Sequence, residues 1–127
     1  MCLELTKNSK EMIADKVIPC FKVVLRLSDE VLITPYQDMI VEIGKDYQSI
    51  LMPENWCKHY IIREGFHSFV KIEAAKLENK YWENQNKSVI VECEIPIGSK
   101  YYLGHFDIIN KLDSYASDSI KYIKIVE

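Results

Sequence analysis

The sequence predicts an α+β domain on a mostly antiparallel sheet, continuous or split, of six or seven strands with one or two helices. Three observations carry this. Short runs rich in β-branched and aromatic residues recur along the chain. Gly, Pro and polar turn clusters separate them, rather than helices in regular alternation. Helical spacing is clear only over Val70–Trp82, with a weaker candidate near the start. The 127 residues form one domain, 1–127, long enough to bury about two-thirds of the unfolded surface without metals or disulfides.

Taken in order, Ser9 caps a first helix over Lys10–Val17, with Met12, Ile13 and Val17 on one face. Pro19 stops it, so residues 1–18 read as an N-terminal helical extension. Phe21–Leu27 is a largely apolar central strand, turned by Ser28-Asp29-Glu30 into its hairpin partner Val31–Ile33. Thr34–Asp38 is a turn before the strand Met39–Ile43, which Gly44 ends. Leu51–Trp56, carrying Pro53 and Asn55, reads as loop. His59–Arg63 is a strand, Gly65 a hinge, and Val70–Trp82 a helix with Ile72, Ala74, Ala75 and Leu77 inward. Asn84–Lys87 is an exposed loop. Ser88–Ile95 alternates cleanly, Val89, Val91, Cys93 and Ile95 against Ile90, Glu92 and Glu94. Pro96–Ser99 turns it into Lys100–Leu103. Gly104–Ser114 reads as a second long loop, and Ile120–Val126 closes the sheet.

The composition bounds the function. Apolar content of 48% and charged content of 28% are those of an ordinary globular protein. A net charge of −3 with scattered Lys and Arg argues against a nucleic-acid partner, which selects a basic face. No run reaches the roughly 20 apolar residues of a membrane span. Four cysteines (Cys2, Cys20, Cys57 and Cys93) stand far apart, without metal-ligand spacing, after a polar Met1–Lys10 that reads as no signal segment. Cys20 and Cys93 read as small buried hydrophobes, and the compartment as a reducing cytoplasm. Eight tyrosines suit a partner surface, although packing on a sheet explains most of them.

Chemistry concentrates at the strand-to-helix junction Ile61–Leu77, where His67 and Ser68 follow Gly65-Phe66. Adjacent residues on an extended segment point to opposite faces, so the two are not a catalytic dyad. Capping of the following helix is the simpler role for Ser68. His59, His67 and His105 lack metal-ligand spacing. Glu92 and Glu94 share one strand face, where paired acids can raise each other's proton affinity; a solvated face is the plainer account. Asp107, Asp113 and Asp118 with Ser114, Ser117 and Ser119 fit turn chemistry better than a cation loop.

Several motifs carry resemblances. Phe21–Arg26, Pro35-Tyr36, Glu64-Gly65-Phe66-His67-Ser68, Ile95–Tyr102 and Tyr115-Ala116-Ser117-Asp118 resemble, in order, a group of uncharacterised proteins of phages and gut-bacterial mobile elements. The match covers about residues 20 to 127. The same order is similar to a reduced ADP-ribosyltransferase fold. That resemblance implies Arg26 gripping dinucleotide phosphates, Ser68 ordering the nicotinamide ribose, and Glu94 (or Glu92 or Asp113) stabilising oxocarbenium charge. Tyr36, His67, Phe69 and Glu92 are the ligand-binding candidates.

The leading expectation is a small cytoplasmic accessory protein of phage or mobile-element origin. It binds a host macromolecule, a protein, as an inhibitor of a bacterial defence system would. It needs no cofactor and no metal, and takes neither membrane nor nucleic acid as partner. The alternative is an ADP-ribosyltransferase-like enzyme using NAD.

Overall fold

The computed structural model describes residues 3–5, 10–28, 31–34, 39–51, 53–56, 59–62, 65–83, 87–106 and 112–127. Strands β1 (Leu3–Leu5), β2 (Met12–Ile13), β3 (Ile18–Arg26), β4 (Leu32–Ile33), β5 (Ile40–Val41), β6 (Asp46–Gln48), β7 (Pro53–Trp56), β8 (His59–Ile62) and β9 (Phe66–Phe69) precede the helix α1 (Ile72–Glu83). Strands β10 (Ser88–Ile95), β11 (Lys100–Phe106), β12 (Leu112–Ser117) and β13 (Ser119–Ile125) follow it. All thirteen strands join one sheet, ten of them in the order β6-β13-β10-β3-β9-β12-β11-β1-β8-β7. Strand β2 adds to β11, and the β4–β5 pair adds to the end of β3. Every pairing is antiparallel.

The α+β class with a mostly antiparallel sheet and one helix is the observed architecture, but ten strands along the path exceed the six or seven expected. The surplus consists of short pieces without a strong pattern of their own. Met12–Ile13, placed in the expected first helix, pairs instead with Tyr101 and Lys100. Ala14 then donates to the Ser99 carbonyl and accepts from the Gly98 amide. The proposed helical extension over 1–18 is therefore corrected: its described residues are strand and bend. The segment was short for an autonomous helix, and an available sheet edge satisfies its backbone better. Leu51–Trp56, read as loop, contains β7, in register with β8 from Pro53↔Ile62 to Trp56↔His59. Gly104–Ser114, also read as loop, lends Gly104 and Ser114 to a direct strand pair.

The helix is shifted from Val70–Trp82 to Ile72–Glu83. Glu73 in its first turn and Lys80 in its last suit the helix dipole. Ala74 and Ala75 are buried and Ile72 packs beside them, against Val23, Phe69 and Ile90. Leu77 is corrected: it is 51% exposed. The helix thus covers the sheet face to which Phe21, Val23 and Ile90 belong.

Alternation sends Cys20, Lys22 and Val24 to the other face. There Val91, Cys93, Ile95, Ile120, Tyr122 and Phe66 form the main core. Tyr47 of β6 and Tyr101 and Tyr115 of β11 and β12 pack onto this same cluster. Strands far apart in the sheet order can share one cluster only if the sheet curls, so this face is concave. Ala14, Leu32 and Val41 close over it. Among the described residues no helix is long and apolar enough to cross a membrane.

Candidate functional site

Gly65 sets the geometry of the strand-to-helix junction. Its φ of 85° favours glycine, and an added Cβ would lie 2.9 Å from both Leu51 Cδ1 and the Ser117 carbonyl oxygen. The chain leaves this tight passage as β9, which pairs with β12 along Phe66–Phe69 and meets β3 at Phe21↔Phe69. Gly65-to-Phe69 and the opening strand β3 thus meet as a direct strand pairing. His67 and Ser68 are both buried, on opposite faces.

Ser68 does not cap the helix. It sits inside β9, and the first helical carbonyl acceptor is that of Lys71, which receives the amides of Ala74 and Ala75. Extending the β3–β9 register by one residue places Ser68 opposite Lys22 on the concave face. Arg26 lies on that face too, but four residues along β3 from Lys22, about 13 Å at the rise of a strand. Glu92 and Glu94 lie on the convex face, in register with Lys124 and Lys121. Glu92 pairs with Lys124 at 3.8 Å. Asp113, the other candidate acid, lies 3.4 Å from His105 Nδ1. Phe69 is core under the helix. Tyr36 and Asp107 lie outside the described residues. The structure therefore brings Ser68 beside β3, but leaves Arg26 at one end of it and Glu94 behind the sheet.

What Ser68 does join is a polar cluster inside the core. Cys20 of β3 and Cys93 of β10 are direct register partners, both wholly buried and neither in a disulfide. The neighbouring Cys93 thiol holds the Cys20 thiol below its ordinary value, with Ser68 and the Lys22 charge adding to the effect against burial, while the Cys93 Sγ itself donates to the Val91 carbonyl oxygen at 3.7 Å. Burial pushes the Cys93 thiol well up, and the neighbouring Cys20 adds to this. Lys22 Nζ donates to the His67 carbonyl oxygen at 2.9 Å, and burial lowers its proton affinity. Burial also raises the Tyr122 hydroxyl well above its usual range. Among the described residues neither the Tyr122 nor the Ser68 hydroxyl oxygen has a hydrogen-bond partner of ordinary geometry. Read as sequence, Cys20 and Cys93 were two small hydrophobes in separate strands. Only the register makes them a pair.

A second feature lies at one end of the sheet. Pro96–Ser99 turns β10 into β11, with Ser99 donating its amide to the Pro96 carbonyl and Gly98 at φ 87°, as a type II turn requires. Beside it opens a hollow of about 360 Å³, lined by Asp46, Gln48, Ser49, Ile97, Asp118 and Ser119 among others. Asp118 ties the floor together. Its Oδ1 accepts the Lys100 amide at 3.0 Å, and its backbone bonds Lys100 and Ser49. Exposed aliphatics frame this end: Ile13 at 65% and Ile97 at 66%, with Val17 and Ile50. Ile13 is in register with Lys100, Val17 precedes the Ile18↔Ile95 pair, and Ile50 follows Ser49 of the lining. Sequence reading passed over this site because its lining comes from three separate segments, 46–49, 96–99 and 118–119. Among the described residues no group of three or more His, Cys, Asp or Glu side chains is placed to hold a metal ion. No family model, curated protein or solved structure matches the chain.

Proposed function

We propose that this chain is a binding protein that takes a segment of a partner protein on the end of the sheet around Pro96–Ser99. The observation that carries the reading is the acidic hollow lined by exposed Ile97, with exposed Ile50 next to Ser49 of the lining and exposed Ile13 and Val17 at the same end of the sheet. Large apolar side chains gathered on an otherwise polar surface are a common mark of an interaction site. The lining holds the carboxylates of Asp46 and Asp118 and no basic side chain. A partner that fits would present a Lys or Arg flanked by apolar residues, the charge entering the hollow and the flanks covering the isoleucines. A cytoplasmic accessory role of phage or mobile-element origin, directed at a host defence component, is the biological setting this reading retains.

The test is capture from bacterial lysates with the wild type, an Ile13→Asp/Ile97→Asp variant and a Leu27→Asp control. Leu27 is as exposed, at 64%, but stands at the opposite end of β3. A partner retained by the control and lost by the double variant supports the site. Equal capture by all three chains rejects it.

The transferase alternative rests on one favourable relation, Arg26 and Ser68 on the same face of paired strands. It requires Glu94 or another acid to join them, and Glu94 faces away. Nicotinamide release from NAD, abolished by Arg26→Ala, is the result that would favour it.

A further inference from the structure

The core holds two thiols for which the binding role has no use. Cys20 and Cys93 face each other across β3 and β10 in a register unbroken from Ser88↔Leu25 to Ile95↔Ile18. The Arg26 amide donates to the Lys87 carbonyl at 2.7 Å. Hydrogen-bonded pairs alternate along an antiparallel ladder, so Cys20↔Cys93 is also a hydrogen-bonded pair. The Cα atoms of such pairs stand about 5.5 Å apart, within the range a disulfide spans. Both side chains point to the concave face, where they lie wholly buried in one cluster. We propose that Cys20 and Cys93 form a redox-active dithiol site that a peroxide-class oxidant converts reversibly to a disulfide.

The surroundings assign each thiol a role. Cys20 is flanked by Lys22, two residues along the same face, and by Ser68 on the neighbouring strand, so it is the thiol whose anion is stabilised. Burial keeps Cys93 protonated, its Sγ donating to the Val91 carbonyl oxygen at 3.7 Å. The Cys20 thiolate attacks one peroxide oxygen, the O–O bond breaks, and the leaving hydroxide takes a proton to become water. Cys20 is then a sulfenic acid. The Cys93 sulfur attacks the Cys20 sulfur, the S–O bond breaks, and the departing hydroxide leaves as a second water with the Cys93 proton. Two electrons have passed from the sulfurs to one peroxide molecule. A small neutral oxidant suits thiols that are wholly buried. Hydrogen-bonded cross-strand positions hold their Cβ atoms farther apart than a relaxed disulfide wants. The bond is therefore strained, and strained disulfides are the readily reduced ones.

The experiment treats the folded full-length chain with hydrogen peroxide, blocks remaining thiols, and maps peptides by mass spectrometry, beside a urea-unfolded sample that verifies the oxidant. The expected result is a Cys20–Cys93 linked peptide, about 2 mass units lighter than the two reduced peptides together, lost again on dithiothreitol treatment. In Cys93→Ser, dimedone should trap a sulfenic acid at Cys20; in Cys20→Ser it should trap none at Cys93. Both thiols staying reduced in the folded chain, links only to Cys2 or Cys57, or over-oxidation without a link would each overturn the proposal. The mapping of the unaltered chain decides the matter even where a variant fails to fold.

Discussion

The Lys22 ammonium donates to the His67 carbonyl oxygen at 2.9 Å, from inside the concave core of the sheet. A primary amine on a central strand is thereby surrounded by Cys20, Val24, Val91 and Ser68 instead of water. Removing an ammonium from water costs several kcal/mol. One charge-assisted hydrogen bond returns about 1.5–3 kcal/mol. Desolvation wins, and Lys22→Met, similar in length and uncharged, should stabilise the chain by about 1–2 kcal/mol. Urea unfolding measures this, and a loss of stability would show the ammonium to be better solvated than its burial implies.

The same residue makes stability depend on pH. Burial places the folded-state proton affinity of Lys22 below its ordinary value of 10.5. Between those two points the unfolded chain binds the extra proton, so stability rises with pH through that window. Below it both states are protonated and the full cost of the buried charge remains. Lys22→Met should remove this rise from a series of urea melts between neutral and alkaline pH.

Tyr122 gives the opposite slope. Its hydroxyl is buried, without a hydrogen-bond partner among the described residues, and its proton is held well above the ordinary 10.0. The unfolded chain releases that proton first, so stability falls as pH climbs through and beyond 10. Tyr122→Phe keeps the edge-on ring contact with Tyr47, at 5.7 Å between centroids. It should match or exceed the wild type by up to about 1 kcal/mol at neutral pH. Its alkaline loss should be shallower, which calorimetry across that range will read.

How much of this was legible in the sequence differs by element. The long patterned strands β3, β10 and β13 and the helix announce themselves through periodicity, because each buries a face of its own. Leu3–Leu5, Met12–Ile13 and Asp46–Gln48 are too short to carry a period and become strands only through their partners. Gly65 was legible as a hinge, whereas the meeting of β3 and β9 at Phe21↔Phe69 shows only in the register. The sides taken by Ser68 and Glu94 depend on register, which one sequence does not display. The same blindness hid the Cys20–Cys93 pair.

Gly65 supports a sharper prediction. Gly65→Ala must adopt a positive φ, which costs about 1–2 kcal/mol, and must displace the Ser117 carbonyl. Leu51→Ala can relieve only the side-chain half of the clash, since the other neighbour is backbone. The single variant should lose at least about 3 kcal/mol, and Leu51→Ala should not restore it. Thermal melts of the two single variants and the double variant test this.

The central claim is that the Pro96–Ser99 end of the sheet is the surface that meets a partner. Once a partner is captured, its affinity for wild type, Ile13→Asp/Ile97→Asp and Leu27→Asp, each verified as folded by circular dichroism, is the direct measurement. Binding at least about a hundredfold weaker is expected for the double variant, the scale of hot-spot loss at an interface, with the Leu27→Asp control within about threefold of wild type. Unchanged affinity in the double variant, or loss in the control alone, would contradict it.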